Sequence, residues 1–221
     1  MMCTDIRIVV SGHSFVGHLK RFLEEDNDTL NRYQDGFNLY RENAETFFVY
    51  RPGSDLNFLK NVLRTVILSK RPHLVILQIG SNDLTKRKTQ PTHLADEVLK
   101  FSQSLIKGET KFVIISAVIH RMKVNTNISV AEYNERVDQY NNVLSKACQN
   151  VPNVIFWHQR RIDRGNNLLK GDGVHLNNAG NYHLFMAYKN SLVHAIWHIN
   201  RMEGCTCNTA LLPIRQRPHK R

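Results

Sequence analysis

The sequence predicts a three-layer α/β/α domain of the doubly wound type, in which helices cover both faces of a parallel sheet. Two observations support this fold class. Five short apolar runs alternate with stretches of helical period, and successive parallel strands need such a crossover between them. The run at 73–80 is almost continuously apolar, which is typical of a central strand buried on both faces. A chain of 221 residues has the size of a single domain.

The first half of the chain contains two of the other predicted strands and two helices. Residues 6–11 are β-branched and apolar, as expected for a buried strand, and residues 46–50 predict the second strand. Ser54 and Asp55 are good caps for a helix that runs to about residue 69. Polar residues between 24 and 45 indicate a long surface loop. Apolar residues lie on one face of the first helix at 15, 16, 19, 22 and 23, and the apolar positions of the second helix are 56, 59, 62, 63, 66 and 67.

The second half repeats the alternation of helix and strand. Helices are predicted at 91–106, 130–148 and 179–200, and strands at 111–118 and 154–157. The helix at 130–148 has an apolar stripe, which we expect in the core rather than in a binding site. That stripe consists of Tyr133, Val137, Tyr140, Leu144 and Ala147.

Composition excludes several classes of protein. Hydrophobic residues make up 42% of the chain and charged residues 22%, which is typical of a globular protein and not of a disordered one. The N-terminus lacks the basic region of a signal peptide, and no apolar run approaches the ~20 residues of a membrane span. We therefore expect a cytoplasmic protein with one domain at 1–200 and a basic, flexible tail at 201–221.

The formal net charge of +11 favours anionic partners. Many basic residues fall in loops at the predicted site edge of the sheet. Solvated loops collect charge in any protein, but the same pattern also fits phosphate contacts with RNA or single-stranded DNA through these loops and the tail. Few aromatic residues accompany them, so electrostatic contact is favoured over base reading. The loop residues are Arg51, Lys86, Arg87, Lys88, Arg121, Lys123, Arg160, Arg161, Arg164 and Lys170.

Four predicted loops converge at the carboxyl ends of the strands, where open α/β sheets place their sites. They contain Ser14, Gly53, residues 80–83 and residues 171–175. Ser14 lies on a strand-to-helix turn, a position that suits a helix cap as well as a nucleophile. The other three loops decide between these interpretations, because they supply the remaining groups of an acyl-transfer site.

Each of these groups has a role in acyl transfer. His175 is the candidate base for the Ser14 hydroxyl, and Asp172 could orient its imidazole from three residues upstream. The oxyanion of the tetrahedral intermediate needs hydrogen-bond donors. The backbone N–H groups of Ser14 and Gly53 and the side-chain amide of Asn82 are the candidate donors.

These motifs resemble, in order, the four blocks of the SGNH (GDSL-like) hydrolase superfamily. The blocks are Gly12-His13-Ser14, Gly53, Gly80-Ser81-Asn82-Asp83 and Asp172-Gly173-Val174-His175. The resemblance covers residues 6–200 and implies a flavodoxin-like five-stranded sheet. It also implies Ser14, Asp172 and His175 as the catalytic residues, an oxyanion hole of Ser14, Gly53 and Asn82, ester or thioester substrates, and no metal or other cofactor.

One residue departs from the family pattern. The first block usually reads Gly-Asp-Ser, and His13 stands here in place of the aspartate. The change could be a tolerated substitution next to the site, or His13 could compete for the Ser14 proton.

The sequence therefore predicts a serine esterase for short acyl groups, because the loops at 84–91 and 119–129 are too polar for a long lipid chain. The alternative is a nucleic-acid-binding domain on the same fold. SGNH-like domains similar to this one occur in RNA-binding germ-plasm proteins and in retrotransposon-encoded proteins. The sequence leaves the oligomeric state open.

Overall fold

Five parallel strands form one sheet in the order β2-β1-β3-β4-β5, the order of flavodoxin-like folds. The structure is a computed structural model that describes residues 6–25, 37, 39, 44–159, 161–162 and 167–202. The predicted loop at 24–45, Arg160, Arg164 and all of the tail beyond Met202 therefore lie largely or wholly outside the described residues. The strands are β1 Ile6–Gly12, β2 Ala44–Tyr50, β3 Leu74–Gln78, β4 Phe112–Ser116 and β5 Val154–Trp157.

Five helical segments connect or follow these strands in the described part of the chain. The second of them contains a π-helical turn, Leu59–Leu63, between two α-helical pieces, Leu56–Phe58 and Arg64–Ser69. Together these three pieces are α2. The other helices are α1 Ser14–Glu25, α3 Pro91–Ile106, α4 Val130–Cys148 and α5 Asn178–Met202.

Apolar side chains on the two faces of the sheet form two separate cores, which gives the three layers. On one face, alternate strand residues such as Val9 and Leu77 pack with α2, α3 and α4. On the other face, their neighbours Val10 and Ile76 pack with α1 and α5. The predicted α/β/α fold class is confirmed. Tyr133 and Tyr140 on α4 are buried, as expected.

Two of the apolar positions in α2 are not buried. Val62 and Val66 are 48% and 42% exposed. The buried stripe of α2 consists of Leu56, Leu59, Leu63 and Ile67. Each of the two valines precedes a stripe residue by one position, which turns its side chain by about 100° to the flank of the helix.

The carboxyl ends of the strands hold the loops of the predicted site. The chain passes from β1 into α1 through His13, and the N–H of Arg51, just after β2, donates to the carbonyl of Gly12 at 3.1 Å. Gly12 is required by close packing, because a Cβ there would lie 2.3 Å from the Gln78 carbonyl oxygen. No helix in the described ranges is both long and apolar enough to cross a membrane.

Candidate active site

Ser14, His175 and Asp172 form a continuous chain of hydrogen bonds. The Oγ of Ser14 lies 3.0 Å from Nε2 of His175, and Nδ1 of His175 lies 2.8 Å from Oδ2 of Asp172. A carboxylate can only accept, so the Nδ1–H of neutral His175 donates to Asp172 and its Nε2 accepts from Ser14. Ser14 is the first residue of α1, where backbone N–H groups have no partner within the helix. The structure thus brings Ser14 next to His175 and Asp172, although Ser14 and His175 are 161 positions apart in the sequence.

Asp172 is held in its ionised form by its own loop. Its Oδ1 accepts from the N–H of Val174 at 2.8 Å and from the N–H of His175 at 2.9 Å. Desolvation raises the pKa of Asp172, but these two backbone hydrogen bonds and the one from the His175 ring outweigh it and hold the pKa well below its usual range. The same short turn therefore fixes the carboxylate and the imidazole together.

Two side chains of α1 pack against the His175 ring. The ring centroids of His18 and His175 are 4.5 Å apart, and those of Phe15 and His175 are 5.9 Å apart. Desolvation first, and then the neighbouring His175, lowers the pKa of His18. The sequence analysis did not select His18. The signal was its position one helical turn after Ser14, which places both side chains on the same face of α1.

The Asn82 side chain has one orientation that satisfies both of its neighbours. Its Nδ2 donates to the carbonyl of Ser54 at 2.9 Å, and its Oδ1 accepts from Nη2 of Arg121 at 3.1 Å. A guanidinium can only donate and a carbonyl can only accept, so the chemistry of the two partners assigns the amide oxygen and nitrogen. The second hydrogen of Nδ2 is left for another acceptor.

Gly53 lies on the same cleft, in the turn after β2. Its φ of +74° is in the left-handed region, which a side chain would disfavour, so glycine is required by the backbone itself. An open cleft of about 550 Å³ brings the predicted residues to one surface. Its lining includes Ser14, Gly53, Asn82 and His175.

His13 is buried behind the nucleophile and is uncharged. Burial, followed by the charge of Arg121, lowers the pKa of His13 from 6.5 to about 3. The ring meets Phe15 edge to face at 5.4 Å between centroids, and neither ring nitrogen has a hydrogen-bond partner among the described residues. His13 therefore makes no hydrogen bond with Ser14 in the described structure, and the hydroxyl bonds to His175 instead.

Arg121 is a buried residue of the site; the sequence analysis placed it in a basic loop at the site edge of the sheet but gave it no role of its own. It is 9% exposed and lines the cleft beside Asn82. The signal was the position of its loop after β4, since the carboxyl end of this strand reaches the same edge of the sheet as those of β1 and β3. That loop was not among the four selected from the sequence.

The other basic residues of these loops differ in the contacts that they make. Lys86 pairs with Asp55 at 2.5 Å, and Lys123 donates to the Gly171 carbonyl at 3.0 Å. The described lining of the cleft carries two arginines, Arg21 and Arg121, and no carboxylate. No group of three or more His, Cys, Asp or Glu side chains in the described ranges is placed to hold a metal ion.

A hydroxyl bonded to an imidazole, which is itself bonded to a carboxylate, is the arrangement found in serine hydrolases with a Ser-His-Asp triad. Residues 11–188 match the family described as GDSL-like Lipase/Acylhydrolase, and the chain belongs to this family. The predicted family resemblance is therefore confirmed. No curated protein sequence matches the chain significantly.

Solved structures of esterases and lipases share the fold at low sequence identity. A GDSL-like lipase from Bacteroides thetaiotaomicron is 15% identical with a TM-score of 0.61, over 86% of this chain and 88% of that one. A catalytic mutant of the acetylxylan esterase Axe2 from Geobacillus stearothermophilus is 14% identical with a TM-score of 0.59, over 85% and 94%. The acetyl xylan esterase AlAXEase is 19% identical with a TM-score of 0.60, over 84% and 99%.

Proposed function

We propose that the protein is a serine esterase that hydrolyses short-chain acyl esters through an acyl-enzyme. The observation that carries this proposal is the 3.0 Å contact between Ser14 Oγ and His175 Nε2, backed by the 2.8 Å contact from His175 to Asp172. Without a base in hydrogen-bond reach, a serine hydroxyl is a weak nucleophile at neutral pH. With this contact its proton has an acceptor as the new bond forms.

In the first half-reaction, Ser14 Oγ attacks the ester carbonyl carbon while His175 Nε2 takes the hydroxyl proton. The carbonyl oxygen becomes an oxyanion, and Asp172 stabilises the imidazolium that has formed. The tetrahedral intermediate then collapses. The ester C–O bond breaks, the alcohol leaves with the proton from Nε2, and the acyl group remains on Ser14.

In the second half-reaction, water takes the place of the alcohol. His175 accepts a proton from the water as its oxygen attacks the acyl carbon, and a second oxyanion forms in the same place. Collapse breaks the bond to Ser14 Oγ, which regains its proton from His175. The products are one carboxylic acid and one alcohol, and the protein returns to its starting state.

The oxyanion would be stabilised by three donors. These are the N–H of Ser14 at the start of α1, the N–H of Gly53 and the second hydrogen of Asn82 Nδ2. Because Nδ2 donates only one of its two hydrogens to the Ser54 carbonyl, the other is available to the substrate. Donors held in this way need no reorganisation during the reaction, and each is worth a factor of roughly 10²–10³ in kcat.

The related structures support this assignment. Two catalytic mutants of the acetylxylan esterase Axe2 replace an aspartate and a histidine that are three positions apart, the spacing of Asp172 and His175. The cleft wall is polar at Thr85, Asn125 and Thr126, which favours small acyl groups such as acetyl over long lipid chains.

Turnover of p-nitrophenyl acetate, butyrate and longer esters tests the proposed function. We expect activity on the short esters, and the Ser14→Ala variant should lose it by several orders of magnitude while keeping its fold. Ser69→Ala is the matched control, because Ser69 lies at the end of α2 and its Oγ bonds only to a helix carbonyl. A wild-type protein that hydrolyses none of these esters would contradict the proposal.

A second candidate function, nucleic-acid binding, has one observation in its favour. The side chains of Arg51, Arg87, Lys88 and Lys170 lie on loops around the site and are exposed, without an ion pair among the described residues. We expect weak binding of RNA and single-stranded DNA that falls steeply with salt, and less binding in an Arg87→Gln/Lys88→Gln variant. A filter-binding titration in low salt with no retained RNA or DNA would remove this function.

A further inference from the structure

Arg121 is a buried cation that has no opposite charge beside it. Only 9% of its surface is exposed, and among the described residues no carboxylate lies within ion-pair distance of its guanidinium. Its Nε is buried and has no hydrogen-bond partner in that part of the chain. The nearby position that is usually aspartate in this family holds the neutral His13. Burying an uncompensated charge is costly, so this arrangement calls for a function.

The guanidinium instead donates hydrogen bonds to the loop that carries Asn82, a candidate donor of the oxyanion hole. Its Nη2 donates to Ser81 Oγ at 2.7 Å and to Asn82 Oδ1 at 3.1 Å. The hydroxyl of Tyr133 lies 2.9 Å from the same Ser81 Oγ, and its ring lies 5.0 Å below the guanidinium carbon. Arg121 therefore makes two hydrogen bonds to the loop that carries Asn82, next to the cleft that both residues line.

Helix α4 fixes the backbone of Arg121 as well as its side chain. Asn134 accepts from the Arg121 N–H and donates to the Arg121 carbonyl, both at 3.0 Å. Tyr133, the residue before it, supports the guanidinium from below. Two consecutive residues of one helix thus hold the arginine at both ends, which leaves the Asn82 amide little freedom to rotate.

We propose that Arg121 is a positioning residue for the oxyanion hole. It holds the oxygen of the Asn82 amide, so that Nδ2 faces the cleft, and it places a positive charge behind the donor. The negative charge that this cation stabilises develops only in the transition state, which fits the lack of a carboxylate beside it among the described residues. The inference rests on the proposed esterase function and adds a residue to its machinery.

The steady-state test uses Arg121→Met, Arg121→Lys and Asn82→Ala, alone and as the Arg121→Met/Asn82→Ala pair, with p-nitrophenyl acetate. We expect Arg121→Met to lower kcat by about 100-fold with little change in KM, because the interaction matters in the transition state. Arg121→Lys keeps the charge and one donor, so it should recover part of this loss.

The double variant decides how Arg121 acts. Because Arg121 acts mainly by orienting the Asn82 amide and its charge adds a smaller effect, the pair should lose only slightly more kcat than Asn82→Ala alone. Losses that multiply would overturn the proposal, and so would a change confined to KM. A KM effect seen only with an ester that carries a carboxylate would mean that Arg121 binds an anionic substrate group. Arg64→Met, a half-buried arginine that bonds to Ser104 far from the cleft, controls for loss of buried arginine contacts.

A second measurement does not depend on turnover. In ¹⁵N-labelled wild-type protein, the two side-chain amide protons of Asn82 should have chemical shifts away from those of a solvent-exposed asparagine and should exchange slowly with solvent. Arg121→Met should bring the shifts to the values of a solvent-exposed asparagine and speed the exchange. Unchanged Asn82 signals would overturn the inference even if the wild type is an active esterase. Loss of these signals in a protein that turns over no ester would contradict only the proposed function.

Discussion

Asp172 and Arg121 are both charged side chains of the candidate site, and their surroundings are opposite. Asp172 is exposed and accepts hydrogen bonds from three donors, one of them the His175 ring. Arg121 is buried and has hydrogen-bond acceptors but no carboxylate beside it in the described structure. We refer to Ser14, His175 and Asp172 as the triad half and to Asn82, Ser81 and Arg121 as the oxyanion half.

This difference indicates that the two charged groups of the candidate site have different roles. In the triad half the Asp172 carboxylate is exposed to solvent and accepts three hydrogen bonds, so its role is to orient a proton acceptor. In the oxyanion half the buried Arg121 guanidinium has no carboxylate beside it among the described residues, so we expect its field to act on the negative charge that the proposed reaction creates. The two halves should therefore differ in how much a single substitution costs and in which kinetic constant it changes.

The largest expected effect is in the triad half, at the base. His175→Ala removes the acceptor of the Ser14 proton and should lower kcat on p-nitrophenyl acetate on the order of 10⁴–10⁶-fold. His93→Ala, on the exposed side of α3, is the matched control. A loss of only about 100-fold, similar to that expected in the oxyanion half, would mean that the two halves do not differ as described.

Replacing the carboxylate should cost less than replacing the base, but more than any change in the oxyanion half. Asp172→Asn keeps the size of the side chain and permits the wrong imidazole tautomer, so we expect kcat to fall on the order of 10⁴-fold. Circular dichroism checks that the loop change leaves the fold intact, and Asp96→Asn on α3 gives the matched surface control. An active Asp172→Asn variant would show that the turn alone orients His175.

The next effect is on stability and concerns His13, which lies beside the two halves. Its pKa is about 3 in the folded protein against 6.5 in the unfolded chain, so between these values the unfolded chain binds more protons. Stability from this group is complete above pH 6.5 and is lost as the pH falls. Between pH 7 and pH 4 the loss should be about 3 kcal/mol.

Urea unfolding of the wild type and His13→Leu at both pH values measures this difference. Leucine does not titrate, so the variant should lose about 3 kcal/mol less than the wild type between pH 7 and pH 4. Asp83 and Asp172 titrate in both proteins, and their contributions cancel in the comparison. Equal losses in the two proteins would show that His13 is hydrated or hydrogen-bonded in solution.

The smallest expected effect is at the support of the oxyanion half. Tyr133→Phe removes the hydroxyl next to Ser81 Oγ and keeps the ring under Arg121, so it should cost about 1 kcal/mol of unfolding free energy. We expect kcat to fall by about 3-fold, because Arg121 still donates to Ser81. Tyr182→Phe on the surface of α5 is the control. A loss of kcat as large as that of Arg121→Met would move the positioning role from the arginine to the tyrosine.

The fold class was predictable because the periods of the strands and helices extend over whole segments of the sequence and can be read from the order of apolar and polar residues. The apolar run at 73–80 and the apolar stripe on α4 each predicted buried residues from their own pattern. The pattern of α2 did not tell buried from exposed apolar residues, since Val62 and Val66 lie one position away from the buried stripe. Apolar character alone does not separate the centre of a helix face from its flank.

The site was predictable only as far as its groups lie in short motifs. Asp172 and His175 share one turn, and Asn82 lies four residues after the end of β3, so their positions in the sequence indicated where they lie in the fold. Arg121 was missed because its burial depends on Tyr133 and Asn134, which approach it only after α4 packs on the sheet. His18 was missed because its contact with His175 depends on how α1 is rotated.

The most direct test of the central claim is to label the protein with a fluorophosphonate and identify the modified residue by mass spectrometry. Such a reagent reacts with a serine whose proton is taken by a neighbouring base. We expect one adduct, on Ser14, in the wild type, and none in Ser14→Ala or His175→Ala. Absence of labelling in the folded wild-type protein, or equal labelling of Ser14→Ala, would contradict an activated Ser14.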